Sequence, residues 1–387
     1  MSQNSKDKVV VLGFAEALSA PEVSWSLVDS GCDIVAFGRK GRSSALRHSK
    51  HVTVYDITPP EQDCQKSLAE LLALLESCYQ ETTKSYILLP LDDASVWLCN
   101  QVKPTSDWLL AGPTGQCAEM ALNKQLQIEA AKAAGFNVPT TVIVSTFEEL
   151  AAYELQFPII LRPADAVSVD GNKFLKGRNS ICADAVELKS ASTAWGENGS
   201  LLVQPFLDGN GEGVFGLATP SGVTMLSAHR RLRMMNPHGS GSSACISQTV
   251  PDSVKLPVEN FIRSSGWRGM FMVELLRTTD GRLWFVEFNG RAWGSMALSR
   301  RQCLEYPAWT VNLAIDPYKM PDIDKPEFEE VVCRNLGREI MHVLFVLRGA
   351  KSKAIKRWPS FWKALFGLFY YPPKTSLYNW KKDDWLV

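Results

Sequence analysis

Met270-Phe271-Met272-Val273-Glu274-Leu275-Leu276 and Leu283-Trp284-Phe285-Val286-Glu287-Phe288-Asn289 are two strand-like runs, separated by Thr278-Thr279-Asp280-Gly281 and followed by Gly290-Arg291. An Asp-Gly pair between two apolar runs is a hairpin-turn composition, so the runs are expected to pair antiparallel. Alternation then sends Glu287, Asn289 and Arg291 to one face, close to Glu274, and Val286 and Phe288 to the other. A solvated sheet face also alternates polar with apolar residues, but it carries a mixed polar set. Here the set is two acids, an amide and an arginine in strongly apolar strands. Hard oxygen donors beside a guanidinium suit magnesium and a polyphosphate, which points to a nucleotide-dependent enzyme.

The rest of the chain sets the frame for that hairpin. Val9 to Gly13, Asp33 to Gly38, His51 to Tyr55 and Tyr86 to Pro90 read as short apolar strands, with helical stretches such as Ser24 to Asp29 and Leu68 to Tyr79 between them. This alternation predicts a parallel, Rossmann-like sheet. The first strand runs into Gly13-Phe14-Ala15-Glu16-Ala17-Leu18, which lacks the Gly-x-Gly-x-x-Gly fingerprint and argues against a dinucleotide-dependent oxidoreductase. Gln116 to Ala134 predicts one helix closed by Gly135, Thr140 to Val144 a strand, and Phe157 to Pro163 the start of a second α+β unit. Beyond about residue 317, Pro317, Pro321 and Pro326 predict a loop and Val331 to Leu347 an apolar helix.

Bulk properties exclude several classes. The 387 residues suffice for two or three domains, and 41 Lys plus Arg against 41 Asp plus Glu leave no global field that would favour nucleic acid. The nine cysteines are scattered, without a Cys-x-x-Cys pair, and read as small buried hydrophobes in a reducing compartment rather than as disulfides or zinc ligands. The polar start Met1-Ser2-Gln3-Asn4-Ser5-Lys6 has no signal-peptide character, and no apolar run approaches ~20 residues. A cytoplasmic protein is expected.

Taken in order, Asn123-Lys124, Phe157 to Pro163, Val203-Gln204-Pro205-Phe206-Leu207, His229 to Arg233 and the Glu274/Glu287-x-Asn289-x-Arg291 set resemble the ATP-grasp superfamily over roughly residues 8–310. Within it the chain is similar to the carboxylate–amine (or carboxylate–thiol) ligases of the carbamoyl-phosphate-synthase and biotin-carboxylase type. The resemblance implies an α/β and α+β chain. A Rossmann-like pre-ATP-grasp domain would span 1–113, a two-subdomain ATP-grasp domain 114–316 with its lid at about 137–206, and a C-terminal helical and aromatic extension 317–387. It also implies an ATP- and Mg²⁺-dependent ligase, with Mn²⁺ as a substitute ion. Such an enzyme activates a carboxylate as an acyl phosphate and couples it to an amine or other nucleophile, releasing ADP and phosphate. Homodimers are common among such proteins.

Site residues carry over position by position. Lys124 resembles the first ATP-binding lysine of the family, and Arg162 stands where the pattern has the second. Arginine keeps the charge there and adds a donor fork. Gln204 to Leu207 resemble the adenine-reading hinge, with the Pro205 carbonyl and Leu207 amide as the reading groups. Proline at 205 gives up only a donor that this scheme does not use. Glu212 is the candidate for the ribose hydroxyls. Glu274, Glu287 and Asn289 are the candidate metal ligands, and Arg231 and Arg291 the candidate catalytic cations. Asp170 to Arg178 stands where the family carries a loop over the phosphates. His229, Arg233, Ser240, Ser242 and Trp293 are candidate lining residues of the acceptor site, and the basic ones hint at an anionic substrate. The alternative is a nucleotide-binding ATP-grasp-like protein without ligase activity, with Arg162 marking the departure.

The tail interleaves basic residues from Arg348 to Lys382 with aromatics from Trp358 to Trp385, against only Asp383 and Asp384. It is expected to pack on the grasp domain or on a partner subunit, with peripheral contact at an anionic membrane surface as the other reading.

Overall fold

A computed structural model of the chain describes residues 8–79, 83–103, 108–175, 177–195, 199–321, 324 and 326–387. The polar start Met1 to Lys6 lies outside these residues, as does Lys176 of the glycine-bearing segment. The first unit is a five-stranded parallel sheet of β1 (Lys8–Gly13), β2 (Asp33–Arg39), β3 (Val52–Ile57), β4 (Ser85–Pro90) and β5 (Trp108–Leu110), in the order β3-β2-β1-β4-β5. Its strands are covered on both faces, which is why β1 is apolar throughout Val9 to Leu12 rather than alternating. Helices α1 (Ala20–Asp29), α2 (Cys64–Cys78) and α3 (Asp93–Gln101) do the covering. Phe14 fills the turn after β1, edge-on to Phe37 with ring centroids 4.9 Å apart and under the Arg39 guanidinium at 3.8 Å.

Next come α4 (Gly115–Leu122) and α5 (Lys124–Ala134). The single helix expected over Gln116 to Ala134 is therefore two, because Asn123 ends one and caps the other. Its side chain accepts from the Leu126 N–H at 3.0 Å and donates to Asp165 at 2.7 Å, while the Lys124 N–H bonds the Ala164 carbonyl at 2.7 Å. An asparagine in extended conformation with those partners satisfies the new helix start better than a continued helix would.

A small unit follows: β6 (Val142–Val144), β7 (Ile159–Pro163), β8 (Ser168–Asp170), β9 (Lys173–Leu175), β10 (Ser180–Cys182), α6 (Ala185–Trp195) and β11 (Leu201–Pro205). Four of its strands form an antiparallel sheet, β10-β7-β11-β6, and β8–β9 is a separate hairpin. That hairpin lies within Asp170 to Arg178 at its second strand and docks on the parallel domain. The Cys64 N–H bonds the Asn172 carbonyl at 2.7 Å, and Phe174 meets Trp97 edge-on at 4.7 Å.

The largest sheet has seven strands: β12 (Gly209–Thr219), β13 (Gly222–Asn236), β14 (Ser240–Gln248), β15 (Gly269–Thr278), β16 (Leu283–Asn289), β17 (Val332–Arg334) and β18 (Thr375–Leu377), in the order β16-β15-β12-β13-β14-β17-β18. Helices α7 (Asp252–Ser265), α8 (Met296–Arg300) and α9 (Tyr306–Ile315) pack around it, and α9 is buried on almost every side because it sits between this sheet and the parallel one. One core joins the two, running from Leu12, Val23 and Leu27 through Trp293, Tyr306 and Trp309 to Phe215 and Met270.

The extension is not an appendage. Val331 to Leu347 is not one helix: Val332 to Arg334 form β17 against β14, and Asn335 then caps α10 (Leu336–Arg348) through the Arg338 N–H at 3.0 Å. After α11 (Phe361–Gly367), β18 adds to the same sheet edge. The last residues return to the parallel domain, where Asp384 accepts from Trp25 at 2.9 Å and Ser49 at 2.6 Å. The tail thus packs on the body of the chain.

Candidate active site

The hairpin forms as its turn composition requires. The Gly281 N–H bonds the Thr278 carbonyl at 2.9 Å, with Gly281 at φ +84°, a left-handed conformation that disfavours any side chain. Glu274 lies directly opposite Glu287, and Met272 opposite Asn289. The pairing slips between Glu274 and Leu275, so Leu275 faces Phe285 and Val286 is the extra residue. This bulge corrects the simple alternation. Phe288 enters the core and Phe285 lies between core and cleft, whereas Val286 lines the cleft.

Two carboxylates directly opposite each other repel unless cations separate them. Arg231 Nη2 stands 2.9 Å from Glu274 Oε1, Arg162 Nη2 3.1 Å from Glu287 Oε2, and Lys124 Nζ 3.7 Å from Glu287 Oε1. Burial would raise the Glu274 carboxyl, but the charge and hydrogen bond of Arg231, with the fields of Arg162 and Arg291, hold it below its ordinary value. Arg162 uses its fork: the second nitrogen donates to the Val286 carbonyl at 2.9 Å. The bulge frees that carbonyl from the strand ladder, so Arg162 and the bulge are matched.

Arg162, Arg231, Glu274, Val286 and Glu287 floor a cavity of about 370 Å³ between the small sheet and the seven-stranded one; Lys124 meets Glu287 without lining it. Gln204, Pro205, Phe206 and Leu207 form one wall, Ile160 and Ile181 another. Gln204 is held by a 2.8 Å bond from its side-chain amide to Thr141, and the Phe206 N–H by the Pro158 carbonyl at 2.9 Å. An unexpected wall comes from the extension: Ile355, Lys356 and Arg357 also line the cavity. Their segment spans its mouth. The Lys351 N–H bonds His238 Nε2 at 2.7 Å, and Ser352 bonds Glu187, on α6 of the small unit, at 2.6 Å. No motif in residues 351–357 signals this; only the return of the chain after α10 brings them there.

Other expected residues fall elsewhere. Glu212 points to the opposite sheet face, where Arg277 grips both its oxygens and Gln248 adds a bond at 2.8 Å, and it does not line the cavity. Its neighbours Gly211 and Gly213 occupy the cleft face, where a Cβ would strike Arg231 or His229. Arg291 is held by Asp93 of the parallel domain at 2.7 Å, beside the cleft rather than lining it, and its field still reaches Glu274. His229 is fully buried, edge-on to Phe215 and bonded to Ser295 at 3.0 Å; burial, then the charge of Arg231, push it well below its ordinary value. Trp293 stacks on Phe215 at 4.7 Å in the core. Neither forms part of the cleft wall. Arg233 lines the cleft but is engaged by the buried Glu339, and the Ser240 side chain lies outside the described ones.

Among the described residues no three His, Cys, Asp or Glu side chains are placed to hold a metal. The set here is two carboxylates and the buried amide of Asn289, all hard oxygen donors, and it fits Mg²⁺ in chemistry.

No protein-family model matches the sequence, and no curated protein matches it. Solved structures do match. The biotin carboxylase domain of the 2-oxoglutarate carboxylase from Hydrogenobacter thermophilus, in complex with MgADP, ADP and bicarbonate, superposes with a TM-score of 0.63 at 16% identity, covering 84% of this chain and 73% of that one. A carboxyaminoimidazole ribonucleotide synthase from Aspergillus clavatus complexed with ATP gives 0.63 at 16%, covering 86% and 82%. An L-amino acid ligase from Bacillus licheniformis gives 0.60 at 15%, covering 82% and 76%. With its parallel sheet ahead of a small antiparallel sheet and a larger antiparallel one, the chain shares its fold with these three solved structures.

Proposed function

We propose that the protein is an ATP- and Mg²⁺-dependent ligase that activates a carboxylate as an acyl phosphate and couples it to an amine. One observation carries this reading: the opposed Glu274 and Glu287 floor a hinge-lined cleft and are ringed by Lys124, Arg162 and Arg231, with the buried Asn289 two residues beyond Glu287 on the same strand. Such an interleaved set can exchange partners. The carboxylates and the amide would hold the metal ion, with Mn²⁺ as a substitute, and the released cations would hold phosphate oxygens. When bound, the ion would supply neutralisation of phosphate charge. The Gln204–Leu207 wall takes the adenine. Three solved structures of this fold hold ADP, MgADP or ATP, which supports the same assignment.

In the reaction, a substrate carboxylate oxygen forms a bond to the γ-phosphorus as the bond to the β,γ-bridging oxygen breaks, releasing ADP. Arg231, with Arg291 behind it, steadies the charge on the transferring group. The amine nitrogen then attacks the acyl carbon, phosphate leaves, and the nitrogen loses a proton to solvent. Glu212 has no part in this scheme. The acid and the amine are small molecules, and the cytoplasm supplies the ATP.

The test is incubation with ATP, Mg²⁺ and paired acids and amines, reading ADP, phosphate and new mass together. ADP formation that requires both an acid and an amine supports the ligase. Tight MgATP binding by calorimetry, with no turnover on any pair, would instead favour a nucleotide-binding protein, the reading that Arg162 keeps open.

A further inference from the structure

The outer faces of α10 and α11 are apolar, although their inner faces already pack together through Val343, Val346 and Ala364. Leu336, Ile340, Leu344 and Leu347 repeat at near-helical spacing along the outside of α10, all exposed, with Leu347 at 66%. On and just after α11, Trp362, Phe366 and Phe369 are 63%, 67% and 77% exposed. A helix apolar on both sides, beside a second one, leaves an apolar patch that a soluble monomer seldom presents.

We propose that this surface docks on an anionic lipid bilayer. Charge decides between that occupant and a second copy of the chain. Residues 336–371 hold seven Lys or Arg and one acid, Glu339, in a protein whose overall charge is zero. Glu339 is fully buried between Arg233 and Arg334, so it offsets nothing at the surface. Arg348, Lys351, Lys353 and Lys363 are exposed, while the equally exposed Lys356 and Arg357 belong to the wall of the nucleotide cleft. Across a twofold interface this basic surface would meet itself, whereas anionic headgroups would neutralise it. Tryptophan and phenylalanine between basic side chains match the depth profile of a membrane interface. The attachment is peripheral, since among the described residues no helix is long and apolar enough to cross a membrane. The surface is preformed, because Arg334 ties Glu339 of α10 to the Gly367 carbonyl at the end of α11 at 2.9 Å.

The test is flotation of the full chain with phosphatidylcholine vesicles and with vesicles in which about one third of the lipid is phosphatidylserine. The wild type is expected to float with the anionic vesicles and to be released by high salt. Phe366→Ser with Phe369→Ser should abolish flotation, and Lys363→Glu should weaken it by more than ~5-fold, the factor for a lost charge near such a surface. These side chains are exposed, so the variants should keep the wild-type melting temperature. Absence of flotation on either vesicle type, or undiminished flotation by the double variant, would overturn the proposal. So would sedimentation showing a wild-type dimer that the double variant converts to monomer, which would make this face a copy-to-copy interface. None of these results depends on the nucleotide cleft.

Discussion

Two ion clusters on the seven-stranded sheet use the same chemistry to opposite ends. Around Glu287, Lys124 and Arg162 approach a carboxylate that lines a cavity and remains partly accessible. Around Glu339, Arg233 and Arg334 approach a carboxylate with no exposure at all, and Arg334 spends its remaining donors on the carbonyls of Tyr370, Gly367 and Leu368. Arg334 is committed within the fold, and it fixes the extension to the sheet. The first cluster has partners that a polyphosphate and a metal ion could replace. Residue type does not separate a binding site from a structural brace; access and spare valence do.

The comparison can be broken from the brace side first. Glu339→Gln leaves the buried Arg334 and the partly exposed Arg233 short of a counter-charge, and should lower unfolding stability by about 3 kcal/mol or more. Urea titration measures this, and a variant as stable as wild type would show that the cluster braces nothing. Glu287→Gln should act chiefly on function: turnover on a working acid–amine pair falls more than ~100-fold, by analogy with the loss of a group that stabilises transition-state charge. Stability should fall by less than for Glu339→Gln, about 1–3 kcal/mol, because Lys124 and Arg162 are buried and share Glu287 as a partner. Retained turnover would remove Glu287 from the chemistry.

A smaller effect sharpens the role of Arg162. Arg162→Lys keeps the charge but gives up the fork that reaches Glu287 and the Val286 carbonyl together. A loss of about 1 kcal/mol in stability and less than ~10-fold in MgATP affinity is expected. Complete loss of nucleotide binding would mean that the fork itself grips the phosphates.

The smallest effect is in acid. His229 has its pKa depressed by burial and by Arg231, so the folded state resists a proton that the unfolded chain accepts below the ordinary value of 6.5. Stability should therefore be fully present above that pH and decline as pH falls through it. Glu274, also depressed, adds a second loss below its ordinary value of 4.5. Chemical denaturation of wild type, His229→Gln and Glu274→Gln from pH 8 down to about 3 resolves the two windows, since each variant should lack its own component. A wild-type profile flat through both windows would contradict the burial argument.

Much of this was legible in the chain. Continuous apolar strands gave away the buried parallel sheet, and the Asp280-Gly281 turn paired Glu274 with Glu287. Other features were hidden for definite reasons. Apolar periodicity runs unbroken through Asn123, and only the carbonyl of Ala164 and the side chain of Asp165 make a helix start there favourable. Val332 to Arg334 match a buried strand as well as a helix, and the free edge of β14 decided between them. Glu212 has the composition of a ligand residue, yet Arg277 and Gln248 claim it across the sheet.

The sequence by itself determined what local rules govern: the element types, the hairpin and its turn, and the acids, amide and cations available for chemistry. Those follow from backbone sterics and from patterns only a few residues long. Only the tertiary structure decided which charges meet: Arg162 with Glu287 from 125 residues away, Asp93 with Arg291 across two sheets, and the 351–357 segment over the cleft. Ionic partners are chosen by where the chain returns in space, and no spacing along the chain encodes that.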